Sequence, residues 1–184
     1  KKIFKNIQEK VDAASVTLAE ERGACPDAAD YGIKERFSNK TAIAPTASIS
    51  IICGGTSPGV EPIAANSFTH KTLSGSFNVR NRYLEKILEK HNKNDDETWS
   101  SITTNQGSVS HLDFLTQQEK DVFKTAFELD QKWIVELGAD RTPHISQAQS
   151  INIFVPADIH KKELHQIHFQ AWKKGLKSLY YCRS

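Results

Sequence analysis

Apolar residues recur at alternating spacings of three and four along the start of the chain. Phe4, Ile7, Val11, Ala14 and Leu18 fall on one face of a helix predicted over residues 1 to 23. Gly23 supplies a stop, and Pro26, which cannot continue a helix, lies just beyond. A polar link from Asp27 to Lys40 follows. Phe68 to Val79 mixes Thr, Phe, Leu and Val with Gly and Ser, which predicts a weak strand or an extended arm. Asn81 to Lys90 reads as a short helix with Tyr83, Leu84, Ile87 and Leu88 on its apolar face. His91 to Thr98 (HNKNDDET) reads as a solvated loop. One longer helix is predicted from Gln117 to Leu137, opened by the capping box Thr116-Gln117-Gln118-Glu119. Its buried stripe is Val122, Phe123, Ala126, Phe127, Trp133, Ile134 and Leu137, and Gly138 ends it. Ser150 to Val155 (SINIFV) is β-rich and stops at Pro156. Asp158 is placed to cap a helix from Ile159 to Lys174 with Leu164, Ile167, Ala171 and Trp172 inward. Gly175 ends it, and Leu176 to Tyr181 reads as another strand. Strand, helix, strand at this length predicts a right-handed βαβ unit with parallel strands. The fold class is therefore α/β, with no internal repeat.

Thr41 to Pro62 (TAIAPTASISIICGGTSPGVEP) breaks the pattern. It opens apolar, passes Pro45, turns small and polar at Thr46, Ala47 and Ser48, then runs apolar from Ile49 to Cys53 until Gly54-Gly55. Strand, turn, short helix is the expected order. Pro45 suits a first helical position, and the hydroxyl of Thr46 or Ser48 suits a cap. Two readings stand. The exposed N–H groups of a first helical turn attract anions, which makes the stretch a phosphate cradle. Otherwise it is a loop between a buried strand and a buried helix.

Composition narrows the classes. With 184 residues the chain is long enough for one domain with a core. A net charge of +2, with lysines spread out, gives no reason to expect nucleic acid. No apolar run approaches a membrane span, and no signal peptide is recognisable. Cys25, Cys53 and Cys182 are too far apart for a disulfide framework or a CxxC metal site, which favours a reducing, cytoplasmic compartment. No methionine occurs anywhere, so a fragment of a longer protein is expected.

Other candidate chemistry has a plain reading beside it. His165 and His168 can share a helix face with His160 nearby, but no carboxylate or cysteine sits at matching spacing, so no metal site is assigned. His70, His91, His111 and His144 show no partner in the sequence. Cys25 and Cys53 read as packed thiols. Glu61 is either an acid–base group or a turn carboxylate. Tyr180-Tyr181 should point to opposite faces of a strand, one ring to the core and one elsewhere. The pair is either packing or a relay for an electron and a proton.

Four stretches together resemble the later part of the catalytic barrel of the class I ribonucleotide reductase large (alpha) subunit. They are Leu18 to Pro26 (LAEERGACP), Ala42 to Pro62, Ser146 to Val155 (SQAQSINIFV) and Phe169 to Ser184 (FQAWKKGLKSLYYCRS). The resemblance implies that residues 1 to 184 are a single fragment of a ten-stranded α/β barrel with parallel strands and crossover helices. It implies that Pro45, Thr46, Ala47, Ser48 and Ile49, with Ser50 beside them, hold a ribonucleoside diphosphate. It implies that Tyr180 and Tyr181 relay a radical from the small (beta) subunit. The family's N-x-C-x-E finger loop, its redox cysteine pair, its C-terminal cysteine tail and its N-terminal regulatory region are not matched. The chain is then expected to bind no cofactor itself. The parent would use a small-subunit metal/radical cofactor, a thioredoxin- or glutaredoxin-type reductant and ATP/dNTP effectors. Its partners would be the small subunit, the rest of the alpha subunit and a second alpha copy. Two alternatives remain: the same barrel from a cobalamin-dependent reductase, and a non-catalytic phosphate-binding module.

Overall fold

A computed structural model describes residues 1–184, the side chain of Thr72 excepted. The chain begins with α1 (Lys2–Arg22) and α2 (Pro26–Asp30), then α3 (Ala47–Ile52). A hairpin of β1 (Ser67–Thr72) and β2 (Gly75–Arg80) precedes α4 (Arg82–Lys90) and α5 (Asp96–Thr104). Next come α6 (Gln117–Val122), α7 (Gln131–Arg141), β3 (Ile153–Phe154), α8 (Lys161–Lys173) and β4 (Cys182–Arg183). These elements form two compact units. One comprises Lys1–Pro45, Gln131–Ile153 and Asp158–Arg183; the other comprises mainly Thr46–Asp130, with Phe154–Ala157.

In the first unit α1 runs as the spacing predicts, closed by Gly23 at φ 83. Its deepest residues are the small Ser15 and Ala19, while Phe4, Val11 and Leu18 are half-buried and Ile7 and Ala14 are exposed. Ser15 is drawn in because its Oγ accepts the amides of Arg36 and Phe37 at 3.1 and 3.3 Å. Ile43 makes a parallel bridge to Gln149. The Ser146 hydroxyl ties this bridge down, accepting the amides of Lys40 and Thr41 at 2.9 and 2.8 Å. β3 pairs with β4. The Tyr180 amide donates to the Ile151 carbonyl at 2.7 Å and the Ile153 amide to the Tyr181 carbonyl at 2.8 Å. Donors and acceptors advance together along both segments, so they run in the same direction, as expected of strands joined by a helical crossover.

Several sequence expectations change here. The strand expected at 150–155 shrinks to Ile153–Phe154, and the one expected at 176–181 does not form there: β4 lies just beyond it, at Cys182–Arg183. α8 starts two residues late. His160 rather than Asp158 is its cap, with Nδ1 accepting the Lys162 amide at 3.1 Å. Ile167 and Ala171 are buried, but Trp172 is 73% exposed and packs against Phe169, with ring centroids 5.5 Å apart and planes tilted by 38°. Gly138 does not end a helix. It lies buried within α7, where a side chain would strike Ile151.

The second unit is built on Leu84, Leu88, Trp99, Ile102, Val109, Leu112, Leu115 and Phe123. Each such aliphatic side chain contributes about 1.5–3 kcal/mol when fully buried. Asn81 caps α4 by accepting the amides of Tyr83 and Leu84. Tyr83 is exposed, off the predicted apolar face. The expected loop at 91–98 closes early. Asp95 accepts the Thr98 amide at 2.8 Å, so α5 starts at Asp96 and buries Thr98 and Trp99. The acidic run that reads as solvated is instead favoured at a helix N-terminus.

The single helix expected over 117–137 is broken in two. The capping box at Thr116 and Glu119 forms, but α6 stops at Val122. A second capping box, Thr125 with Glu128, opens a separate 3-10 turn there. The Ala126 amide leaves the helical path to donate to the Ile63 carbonyl at 2.8 Å. Two caps nine residues apart thus give two helical starts, and the supposed stripe scatters: Phe123 and Ala126 are buried, while Val122 and Phe127 are exposed. In α7, Ile134 is buried, while Trp133 and Leu137 are exposed. Phe68 to Val79, expected as a weak strand or arm, is an antiparallel hairpin in register Phe68↔Val79 and His70↔Phe77. No closed barrel is present among the described residues, whose sheets have two strands each.

Candidate functional site

Pro45 stands before the helix rather than at its first position; Thr46 is the cap residue and α3 begins at Ala47. The Thr46 hydroxyl does not cap. It donates to the Pro58 carbonyl at 3.2 Å, and the Thr46 amide donates to the same oxygen at 3.0 Å. This pair of hydrogen bonds to one carbonyl pins the entrance of α3 to the loop that returns at Pro58. Ser48 is exposed in the first turn and does not cap either. Ser50 is buried, and its hydroxyl donates to the Ala47 carbonyl at 2.7 Å. The first-turn amides of Ala47, Ser48 and Ile49 have no acceptor within the helix by geometry. None of the described hydrogen bonds uses them. Ile49, Ile51 and Ile52 are exposed, so α3 is not the buried helix of the plain reading.

Gly54 and Gly55 turn the chain out of α3 at φ 88 and 77. The Arg82 guanidinium lies against Gly54: a Cβ there would meet Nη1 at 2.7 Å. Its Nη2 donates to the Tyr83 hydroxyl at 2.9 Å, which holds the Tyr83 phenol below its usual range. Glu61 is buried in a bend, with its carbonyl accepting the Ser57 hydroxyl. What can meet an anion here is the set of first-turn amides and small side chains.

Tyr180 and Tyr181 depart from the expected arrangement. Neither ring enters a core: they are 50% and 53% exposed. They lie side by side with centroids 4.2 Å apart and planes tilted by 55°. The cause lies in the hydrogen bonds. A regular parallel ladder would return to Ile153 from the carbonyl of Tyr180, whose amide pairs with Ile151. It returns from Tyr181 instead, so one extra residue is inserted and the alternation of side chains is lost. A hydrogen bond with Tyr181 holds the Tyr180 phenol above its ordinary value. The Arg183 guanidinium lies over the Tyr181 ring, 5.4 Å from its centroid.

Three histidines without visible partners have them in the fold. His91 Nε2 lies 3.2 Å from Glu119 Oε1, His111 Nε2 2.6 Å from the Ser101 hydroxyl, and His144 Nδ1 2.8 Å from Gln8 Oε1. On α8, His165 stacks on Phe169 and His168 Nδ1 donates to the Leu164 carbonyl. No group of three or more metal-ligating side chains occurs among the described residues. Cys25 is half-buried, and Cys53, expected to be packed, is exposed because it lies at the end of α3 rather than inside a longer helix.

Sequence reading misses a groove of about 280 Å³ lined by Gln8, Asp12, Lys40, Thr41, His144 and Ser146, among others. Lys40 bridges Asp12 at 2.6 Å and Glu35 at 3.1 Å. The Ser15 hydroxyl first, and the Lys40 ammonium after it, hold the Glu35 carboxyl below its usual range. These residues are too distant in sequence for any local signal to join them. No helix among the described residues is long and apolar enough to cross a membrane.

The sequence of residues 27–182 matches the model of the ribonucleotide reductase barrel domain. The chain is 50% identical over 186 residues to the ribonucleoside-diphosphate reductase large subunit of Invertebrate iridescent virus 6, covering 99% of this chain and 19% of that protein. It is 37% identical over 155 residues to the ribonucleoside-diphosphate reductase large chain 2 of Saccharomyces cerevisiae, covering 83% of this chain and 18% of that protein. In three dimensions it matches the Actinobacillus ureae class Id ribonucleotide reductase alpha subunit with a TM-score of 0.86 and 38% identity, covering 99% of this chain and 33% of that one. The chain thus spans a third or less of these relatives. With the family model matched across residues 27–182, this chain belongs to the ribonucleotide reductase barrel-domain family.

Proposed function

We propose that this chain is part of the large subunit of a class I ribonucleoside-diphosphate reductase, and that it contributes two sites to the parent's thiyl-radical reduction of ribonucleoside diphosphates. The first-turn amides of Ala47, Ser48 and Ile49, flanked by Pro45, Thr46 and Ser50, hold the substrate diphosphate. That role is positioning and anion stabilisation rather than acid–base work. Tyr180 and Tyr181 carry the radical. The observation that carries this reading is the ring contact of 4.2 Å between two exposed tyrosines within the family-matched region. The two rings touch while about half exposed, which supports exchange of an electron and a proton between them.

In this reading the thiyl cysteine and the redox cysteine pair come from the rest of a ten-stranded barrel. The radical comes from a metal/radical cofactor of the small subunit, and the reductant is of the thioredoxin or glutaredoxin type. ATP/dNTP effectors and a second alpha copy act on other parts of the parent, in the cytoplasm. The Tyr180–Tyr181 pair supports this over a cobalamin-dependent reductase, which makes its radical in place. The test is titration of GDP into the full-length large subunit with isotope-labelled amides at Thr46 to Ser50, followed by NMR. Saturable shifts confined to those amides are expected. Saturable binding that leaves them unmoved overturns the cradle.

A further inference from the structure

The two tyrosines are not equivalent. Arg183 lies 5.4 Å over the Tyr181 ring, and none of the described cation–ring contacts falls on Tyr180. We propose that Arg183 is a positioning residue of the tyrosine pair, one that keeps the unpaired electron on Tyr180 in preference to Tyr181. The role rests on the relay reading above.

The physical argument is an asymmetry of charge. A cation is held over an aromatic face by the electron density of that face. A phenol has more of that density than the neutral phenoxyl radical formed from it. Arg183 therefore stabilises Tyr181 more in its reduced form than in its oxidised form. The transfer step is balanced within the pair. The O–H bond of Tyr180 breaks and an O–H bond forms on Tyr181, as one electron and one proton pass from Tyr180 to the Tyr181 phenoxyl. The ring contact at 4.2 Å supplies the path. An exposed cation–ring contact of this kind biases the distribution about two- to fivefold.

The experiment uses the full-length large subunit assembled with its small subunit and a ribonucleoside diphosphate. 3-Aminotyrosine, which traps the radical where it is placed, is introduced at position 180 or 181, and the radical at each is quantified by electron paramagnetic resonance. Arg183→Gln is expected to raise the yield at 181 relative to 180 about two- to fivefold. Arg183→Lys, which retains a cation, is expected to keep the original ratio. An unchanged ratio in Arg183→Gln, or an equal change in both variants, overturns the role of Arg183 while leaving the relay in place. Full turnover in both Tyr180→Phe and Tyr181→Phe, with no radical trapped at either ring, removes the relay itself and the role with it.

Discussion

Gly138 lies so close to Ile151 that a Cβ on Gly138 would come 2.7 Å from Ile151 Cδ1. Ile151 is fully buried, so its methyl has little room to retreat. Gly138→Val is expected to destabilise the protein by about 1–3 kcal/mol through overpacking. In Gly138→Ala the better helix propensity and the clash oppose each other. Ile151→Val alone should cost about 0.5–1.5 kcal/mol. Because it also deletes the clashing methyl, the pair Gly138→Ala/Ile151→Val should cost less than the sum of the two single changes. Denaturant unfolding of all four proteins checks this, and strict additivity would count against the contact.

Asn66 is a buried polar junction. Its Nδ2 donates to the carbonyls of Gly107 and Phe123 at 2.9 and 2.7 Å, and its Oδ1 accepts from Asn81 Nδ2 at 2.9 Å. Asn66→Ala removes all three bonds at once. A loss of about 1–3 kcal/mol is expected for each buried group left unsatisfied. Thermal unfolding, with hydrogen exchange at the Asn81 cap, should show α4 fraying first.

Glu119 sets an acid limb. Hydrogen bonds from the Thr116 amide and hydroxyl, and then from His91, lower its carboxyl from 4.5 to about 2. The folded value is depressed, so the contribution is complete above the ordinary value of 4.5 and is lost as pH falls toward 2. Glu119→Gln should flatten the stability profile in that window and leave its shape at neutral pH unchanged. Chemical denaturation at a series of pH values reads this directly.

Tyr181→Phe should lower the Tyr180 phenol toward its ordinary value of 10.0, because the hydrogen bond that raises it is gone. A fluorinated tyrosine at position 180, titrated by fluorine NMR in the full-length subunit, measures the change. In the assembled enzyme the same substitution should abolish turnover if the pair relays a radical, since phenylalanine has no hydroxyl proton to pass. Unaltered turnover would favour the barrel of another radical class.

What could be read from the sequence was what local chemistry dictates. α1, α4, the Thr116 capping box and the crossover helix follow from spacing and caps. The break between α6 and α7 follows from a second Thr-x-x-Glu, Thr125 to Glu128, which the apolar stripe masked. The exposure of Trp172, Trp133 and Leu137 could not be read, because periodicity marks an apolar face without showing what lies opposite it. The tyrosine pair was visible as a motif. Its side-by-side geometry was not, because it depends on an inserted residue in a ladder whose other strand lies far earlier in the chain. The histidine partners and the Lys40 groove depend on contacts of similar reach.

The clamp between Thr41 and Ser146 also orders events in time. Its hydrogen bonds join residues 105 apart in sequence. The unit around Leu84, Leu88 and Trp99 draws mainly on one continuous stretch, Thr46–Asp130, and can close its core soon after that stretch leaves the ribosome. The other unit is interleaved. α1 precedes that stretch, yet its partners in Gln131–Ile153 and Asp158–Arg183 are synthesised after it. The loop that must close before Ser146 reaches Thr41 is therefore already shortened by a folded insert, which lowers its entropic cost. The continuous stretch thus prepares the meeting of the segments that flank it.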